Sequence, residues 1–197
     1  MKKLIVLFYF LFLTGITYAQ LTIGPKIGLN SSKIILEDNT QGVSDGNRKL
    51  GFHVGAFGRS ELGILFVQPE ILYTTSRGEI NVDVFGINQI QEYKFNQIDV
   101  PVMIGFKFLP MLRVFGGPVA TFLIGADGTE GALKNYKNAT LGYQLGIGID
   151  FGNLILDLKY EDNFSKFGDA INIGAQRYAI DQRQNQILLG LGIRLFD

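Results

Sequence analysis

The chain has 197 residues, of which 47% are hydrophobic and 18% charged, with 25 glycines, no cysteine, one histidine and a formal net charge of zero. That length fits one domain or two small ones, and the balanced charge argues against nucleic acid as a partner, because nucleic-acid-binding proteins carry a basic patch. The lack of cysteine excludes disulfides and thiol chemistry, and a single histidine leaves little for metal or acid–base chemistry, so we expect no cofactor and no metal.

The first nineteen residues predict a cleaved secretory signal peptide. Residues 1–3 are positively charged, residues 4–13 form an unbroken apolar run, and residues 17–19 place small side chains where a signal peptidase requires them. The apolar run is shorter than the ~20 residues of a membrane-spanning helix. We therefore expect residues 20–197 to form the exported domain, with a retained membrane anchor as the alternative.

After residue 20 the hydrophobic pattern has a period of two, which is typical of β-strands whose two faces meet different surroundings. In the segment 112–124 the parity is undetermined, because Phe115 and Val119 fall out of phase with Leu112 and Val114. We count about eight strands, each near the ~10 residues that cross a bilayer at a tilt. The alternation is clear in 21–30, 97–108, 141–150, 154–161 and 185–196, and weaker in 50–59, 64–75 and 112–124.

The connections between these strands alternate in length, which predicts an all-β, closed antiparallel up-and-down transmembrane barrel. A sheet of this size without covering helices must close or stack, because open edges invite aggregation. The short connections are 60–63, 109–111 and 151–153, and the long polar ones are 37–49, 76–93, 125–138 and 162–184.

We expect the apolar face of each strand to point outward to lipid and the polar face inward, because small residues and charges of both signs suit a narrow lumen. An outward-facing arginine or lysine at the bilayer midplane would cost about 2–4 kcal/mol, and the apolar phase carries almost no charge. A soluble barrel or sandwich with the opposite orientation is the alternative. The predicted lumen network comprises Lys26, His53, Glu70, Asp99, Lys107, Asp150, Asp157, Lys159, Glu161 and Arg194.

Aromatic residues gather near the predicted strand ends, as in the two girdles at the interfaces of a membrane barrel. Against a closed barrel stand four prolines, Pro25, Pro69, Pro101 and Pro118, which fall inside predicted strands and remove hydrogen-bond donors. Either they lie at bulges, at strand starts or beside widely spaced pairs, or some of the predicted strands are wrong. The predicted interfacial aromatics are Tyr73, Tyr143 and Tyr160 toward the long loops and Phe108, Phe151 and Phe196 toward the short turns.

Several short segments occur in an order and spacing that together are fairly specific. They are residues 23–30 (IGPKIGLN), 51–55 (GFHVG), 67–73 (VQPEILY), 98–102 (IDVPV), 116–118 (GGP), 146–148 (GIG), 159–160 (KY) and the glycine-rich last strand. The chain thereby resembles the Bacteroidetes-type outer-membrane β-barrel family often labelled porin-family or PorT-like. The resemblance implies a small eight-stranded barrel in a Gram-negative outer membrane, and one branch of the family is linked to protein secretion and gliding. The terminal aromatic Phe196 lies one residue in from the expected end, and tryptophan is absent from the girdles.

The sequence favours a structural or interaction protein without enzymatic activity. Its partners would be outer-membrane lipid and an envelope or extracellular protein that contacts long-loop residues such as Tyr136, Phe164, Phe167 and Tyr178. A narrow pore for ions or small solutes is the alternative, although eight strands leave an interior just wide enough for side chains to fill. A barrel-embedded hydrolase or acyltransferase is a third hypothesis, which would depend on His53. We expect His53 instead to be a hydrogen-bonded lumen residue, because no serine lies at a comparable level.

Overall fold

The computed structural model describes residues 20–36, 43–84, 87–128, 139–164, 171–173, 176–178 and 182–195. The predicted signal peptide, residues 1–19, lies outside the described residues. In the part of the chain that is described, no helix is long and apolar enough to cross a membrane.

The described residues form a closed antiparallel β-barrel. Eight strands close it in the order β1-β10-β7-β6-β5-β4-β3-β2, and β8 and β9 form a separate two-stranded hairpin. The predicted closed up-and-down barrel of about eight strands is therefore confirmed. The strands are β1 (Gln20–Leu36), β2 (Val43–Leu62), β3 (Leu65–Val84), β4 (Ile87–Leu109), β5 (Leu112–Gly128), β6 (Ala139–Phe151), β7 (Leu154–Asn163), β8 (Ile171–Ile173), β9 (Gln176–Tyr178) and β10 (Gln182–Ile193).

Polar side chains point into the barrel and aliphatic side chains point out of it. On β1, Lys26 is 1% exposed whereas its neighbour Ile27 is 62% exposed. On β7, Asp157 is fully buried whereas Leu158 is 45% exposed. A belt of exposed aliphatic side chains around a charged interior is the arrangement of a barrel whose solvent is lipid. The predicted orientation is confirmed.

The predicted long loops are shorter than expected, because the strands continue into them. Most of the segment 76–93, predicted to be a loop, is strand, with only residues 85–86 between β3 and β4. Likewise β2 begins at Val43, inside the predicted loop 37–49, and the β8–β9 hairpin lies inside the predicted loop 162–184. The prediction that these residues form loops was wrong, because they form strands.

On β4 the upper strand segment escaped prediction because the polarity of its two faces is inverted. On β4, Tyr93 and Phe95 are buried inside the sheet, while Glu92 and Lys94 are exposed outside. Lower on the same strand the outward residues are apolar, as at Ile104, which is 60% exposed. A change from an apolar to a charged outer surface is expected where a strand leaves the lipid and enters water. A search for outward apolar residues therefore ends at this boundary.

Each of the four in-strand prolines lies where one of its two hydrogen-bond ladders is interrupted or, for Pro25, ends. The β4–β5 register, for example, passes from Pro101 opposite Val119 to Ile104 opposite Gly116, and Pro118 lies in the gap. At such a gap a missing N–H donor leaves no ladder bond unmade, which removes the objection that the prolines raised. In the described ladders each proline has a register partner on one neighbouring strand only: Pro25 with Ala56, Pro69 with Val102, Pro101 with Val119 and Pro118 with Tyr143.

The interior is not uniformly polar, and this resolves the parity of β5. Phe115 and Val119 point inward in phase with Arg113, and Phe115 packs with Phe66 and Met103 in a small apolar cluster. The rings of Phe66 and Phe115 meet edge to face at a centroid distance of 6.2 Å. Inward aromatic residues therefore caused the ambiguous pattern in 112–124.

We expect an outward charge in the middle of β6 to destabilise the protein. Ile147→Arg would place a guanidinium in the exposed aliphatic belt, where Ile147 is 57% exposed, at a cost of about 2–4 kcal/mol in the free energy of unfolding. The matched control is Leu62→Arg beside a short turn, where the cost should be about 0–1 kcal/mol. Urea unfolding in lipid vesicles measures both, and equal costs would contradict the assignment of the belt to lipid.

Candidate functional site: the charged lumen

The structure brings the ten predicted lumen residues into the barrel interior, where nine of them form three groups at different levels and His53 belongs to none of the groups. Seven of them are almost inaccessible, and the remaining three, Lys107, Asp150 and Arg194, are partly exposed near the short turns. From the short turns toward the long loops, the groups are the turn-side cluster around Asp150, the central cluster around Glu70, and the outer polar layer around Asp99 and Glu161. The seven inaccessible residues are Lys26, His53, Glu70, Asp99, Asp157, Lys159 and Glu161.

The central cluster consists of Lys26, Glu70, Asp157 and Lys159, which alternate in charge. Lys26 Nζ donates to Glu70 Oε1 at 2.8 Å and also contacts Asp157 Oδ2. Lys159 Nζ donates to Glu70 Oε2 at 2.7 Å, so Glu70 is held by a lysine on each oxygen. These residues come from β1, β3 and β7 and therefore connect opposite walls of the barrel.

The turn-side cluster lies below the central cluster and is centred on Asp150. Arg113 Nε, Arg59 Nη1 and Arg194 Nη2 donate to its two oxygens at 2.7, 2.9 and 2.6 Å. Lys107 Nζ lies 3.9 Å from Asp150 and donates to Glu61 at 2.5 Å. We define the turn-side cluster as Arg59, Glu61, Lys107, Arg113, Asp150 and Arg194.

Sequence analysis missed Arg59, Glu61 and Arg113, although both arginines are fully buried. Arg113 lies in the segment of undetermined parity, and Arg59 and Glu61 fall at the end of a weakly alternating strand. The signal that could have found them is spacing, since Arg59 continues the inward phase of His53 along β2.

Aromatic rings support the two buried arginines. The guanidinium carbons of Arg59 and Arg113 lie 5.2 and 5.5 Å from the centroid of Phe66, on the inner face of β3. Cation–π contacts of this kind are worth more where water is excluded. Arg113 also joins the two lower levels, because its Nη2 donates to Asp157 at 2.8 Å.

The outer polar layer is held by amide side chains. Glu161 accepts hydrogen bonds from Gln144 at 2.5 Å and Gln186 at 2.6 Å, and Gln186 accepts one from Asn30 at 2.9 Å. On the facing wall Asp99 accepts a hydrogen bond from Thr121 at 2.7 Å and two from Gln97. Among the described residues, no cation lies within salt-bridge distance of Asp99 or Glu161.

Inward glycines provide the space for these large side chains. A Cβ added at Gly148 would lie 2.6 Å from both Arg113 Nη2 and Asp157 Oδ1, and one at Gly28 would lie 2.5 Å from the His53 ring. The glycine-rich last strand serves the same purpose, since a Cβ at Gly190 would lie 2.8 Å from Lys26 Cε. The high glycine content thus follows from a narrow interior.

His53 leaves one of its two ring nitrogens without a hydrogen bond. The residue is 2% exposed, and its buried Nδ1 has no hydrogen-bond partner among the described residues. Its ring lies against Gly28 and Gly190 rather than beside a serine and a carboxylate. Among the described residues, His53 therefore has no neighbours arranged for catalysis. The expectation that His53 is hydrogen-bonded in the lumen was wrong for its Nδ1 atom.

The predicted interfacial aromatics that the structure describes project from the outer face, and their role at the membrane interface stays a prediction. Tyr143 stacks on Phe164 at a ring-centroid distance of 5.1 Å, and Phe164 is 65% exposed. Tyr73, Phe108, Phe151 and Tyr160 are also exposed. Phe196, Tyr136, Phe167 and the side chain of Tyr178 lie outside the described residues.

The described interior carries as many cations as anions. Opposite charges at short distance are the condition under which ions tolerate burial. No group of three or more histidine or acidic side chains in the described ranges is arranged to hold a metal ion. The six cations are Lys26, Arg59, Lys107, Arg113, Lys159 and Arg194, and the six anions are Glu61, Glu70, Asp99, Asp150, Asp157 and Glu161.

Comparison with solved structures finds proteins of similar fold. Neisserial surface protein A superimposes with a TM-score of 0.53 at 12% sequence identity, covering 88% of this chain and 97% of that one. Ail, the attachment invasion locus protein of Yersinia pestis, gives a TM-score of 0.49 at 14% identity, covering 89% and 99%. At these identities the likeness concerns the fold alone. No curated protein sequence matches the chain.

The family relationship rests on the sequence itself. Residues 18–168, well over half of the chain, match the model of the outer membrane protein beta-barrel domain. The matched range covers strands β1 to β7 and all the residues of the central cluster. The chain therefore belongs to the outer membrane protein beta-barrel domain family.

Proposed function

We propose that this protein is a non-conducting barrel that anchors its long-loop side at the cell surface, where it serves as an interaction platform for an envelope or extracellular protein. The observation that carries the proposal is the closed charge network of the lumen. Every member of the central cluster is at most 3% exposed, so even water scarcely reaches them. An eight-stranded barrel has no spare width around such a network.

The upper part of the barrel supports a role at the surface. β2, β3, β4 and β5 continue beyond the apolar belt, and β3 and β4 stay in register up to Val84 opposite Ile87. The β1–β2 register stops at Ser32 opposite Lys49, whereas β1 and β10 stay paired up to Leu36 opposite Gln182. On the long-loop side, β3 and β4 form a paired extension whose outer face carries exposed charges at Arg77, Glu92 and Lys94, which is suited to contact with a protein partner.

A narrow pore is the alternative, and it would require the lumen salt bridges to open. Glu70 alone is held by two lysines and by Gln68 Nε2 at 2.7 Å, and each of these side chains would have to move. A hydrolase or acyltransferase would depend on His53, and the Nδ1 atom of His53 has no hydrogen-bond partner in the part of the chain that the structure describes. We therefore propose that the protein is not an enzyme.

Two finer assignments accompany this proposal. We infer that residues 1–19 are removed during export, which is consistent with membership of an outer-membrane family. Membership of the PorT-like branch stays a prediction that rests on the segments quoted above.

We expect no steady ion conductance from the purified protein in a planar bilayer, because the central cluster closes the lumen. Glu70→Ala removes the acceptor shared by Lys26 and Lys159 and should give a measurable current. The control is Glu92→Ala on the exposed outer face of β4, which should stay silent. A steady wild-type current that Glu70→Ala or Lys107→Ala alters would favour the pore.

The central cluster should also contribute strongly to stability. Glu70→Gln keeps the shape of the side chain but leaves buried Lys159 without a carboxylate and Lys26 with Asp157 alone, which should cost about 3–5 kcal/mol in the free energy of unfolding. The exposed control Glu92→Gln should cost less than about 1 kcal/mol. Urea unfolding followed by gel mobility measures both, and a cost at Glu70 no larger than the control would contradict the network as described.

Complementation of a deletion strain separates platform from pore. We expect the envelope or adhesion phenotype to be restored by the wild type and by Glu70→Ala, provided that this variant reaches the membrane. A variant in which residues 79–92 at the tip of the β3–β4 extension are replaced by a short turn should fail. The opposite result, with the tip dispensable and the lumen essential, would overturn the proposal. Heat-modifiable migration on gels checks that each variant folds.

A further inference from the structure

The turn-side cluster contains more cations than its carboxylates can neutralise. Four of its members are cations, Arg59, Lys107, Arg113 and Arg194, and only Glu61 and Asp150 are acidic. Asp150 accepts from three arginines, and Glu61 accepts from Lys107 and, at 3.4 Å, from Arg59. The cluster thus carries an excess of two positive charges, only part of which Arg113 shares with Asp157.

The compensating negative charge lies too far away to cancel this excess locally. Asp99 and Glu161, the two lumen carboxylates without a cation among the described residues, belong to the outer polar layer. Asp99 is eight residues from Lys107 along β4, a distance of about 26 Å along an extended strand. Charges separated by this much interact weakly compared with direct contacts.

Three buried donors in the same cluster have no acceptor among the residues that the structure describes. They are Arg59 Nη2, Arg113 Nη1 and Arg194 Nε, which are inaccessible and form no hydrogen bond there. Stacking on Phe66 accounts for the burial of Arg59 and Arg113, but among the described residues Arg194 has no ring contact. Unused guanidinium donors are costly when buried, and they are the groups that proteins use to bind phosphate and carboxylate oxygens.

The cluster is open to solvent on one side only. The side chains of Lys107, Arg194 and Glu61 are 19%, 17% and 14% exposed, whereas those of Arg59 and Arg113 behind them are fully buried. These exposed groups adjoin the short turns, which in outer-membrane barrels face the periplasm. A ligand would therefore enter from the periplasm.

We propose that the turn-side cluster binds a phosphate-type oxyanion at the periplasmic mouth of the barrel. Lys107 and Arg194 bind it at the rim, and the guanidinium groups of Arg59 and Arg113 supply the positive field behind them. Glu61 competes with the anion for Lys107. This site is at the opposite end of the barrel from the surface platform and does not depend on it.

The test is a calorimetric titration of the folded full barrel domain with inorganic phosphate, in maltoside detergent and a buffer free of phosphate and sulfate. We expect saturable binding that weakens at least about tenfold in Arg194→Gln and in Lys107→Gln, because each loses a direct donor. Glu61→Gln should bind more tightly, because it frees Lys107. Lys49→Gln, which removes a cation near the long-loop side, should bind like the wild type.

Opposite signs for Arg194→Gln and Glu61→Gln separate an anion site from a general effect on folding. Absence of saturable binding at millimolar phosphate, or equal binding by Arg194→Gln and the wild type, would overturn the proposal. A second arm adds short-chain phosphatidylglycerol to the phosphate-loaded protein. Displacement of phosphate by the lipid identifies a phospholipid headgroup as the source of the anion, and retention identifies a free phosphate compound of the periplasm.

Discussion

The structure depends on the neutralisation of charge in a space that water scarcely enters. Isolated ions buried in such an interior would be prohibitively unstable, so each cation of the central cluster must contact a carboxylate. Lys26, Glu70, Asp157 and Lys159 satisfy this requirement through contacts between strands that are distant in sequence. The same contacts join opposite walls of the barrel and close its lumen. The stability that we predict for the barrel and the lack of conductance that we propose therefore have one cause.

Side-chain size is the second constraint, and it explains the composition. The interior of an eight-stranded barrel is narrow, so each large inward side chain requires a small one on the adjacent strand. Arg113 and Asp157 lie over Gly148, and Phe115 lies over Gly146. These strand glycines lie opposite large side chains, whereas Gly63 and Gly152 occupy tight turns with positive φ. Low charge and abundant glycine are both consequences of this geometry.

The sequence predicted the barrel and most of its lumen because a period of two needs only local information. The prediction failed where apolar side chains point into the barrel instead of toward lipid. Phe115 and Phe66 are apolar yet point inward, because they pack against buried guanidinium groups and inward glycines. Tyr93 and Phe95 are also inward, because above the lipid the outer face meets water. The pairing of Arg59 with Asp150 could not be predicted, since it depends on barrel closure that brings β2 and β6 together.

The inverted upper segment has a mechanical consequence. From Phe95 to Ile87 the β4 strand stands about 20 Å above the lipid when its tilt is included. Because β3 and β4 remain paired along this length, the extension is a two-stranded segment rather than a single flexible loop. A molecule that docks on this extension would not have to order it first, and so would avoid the entropic penalty that flexible binding segments impose.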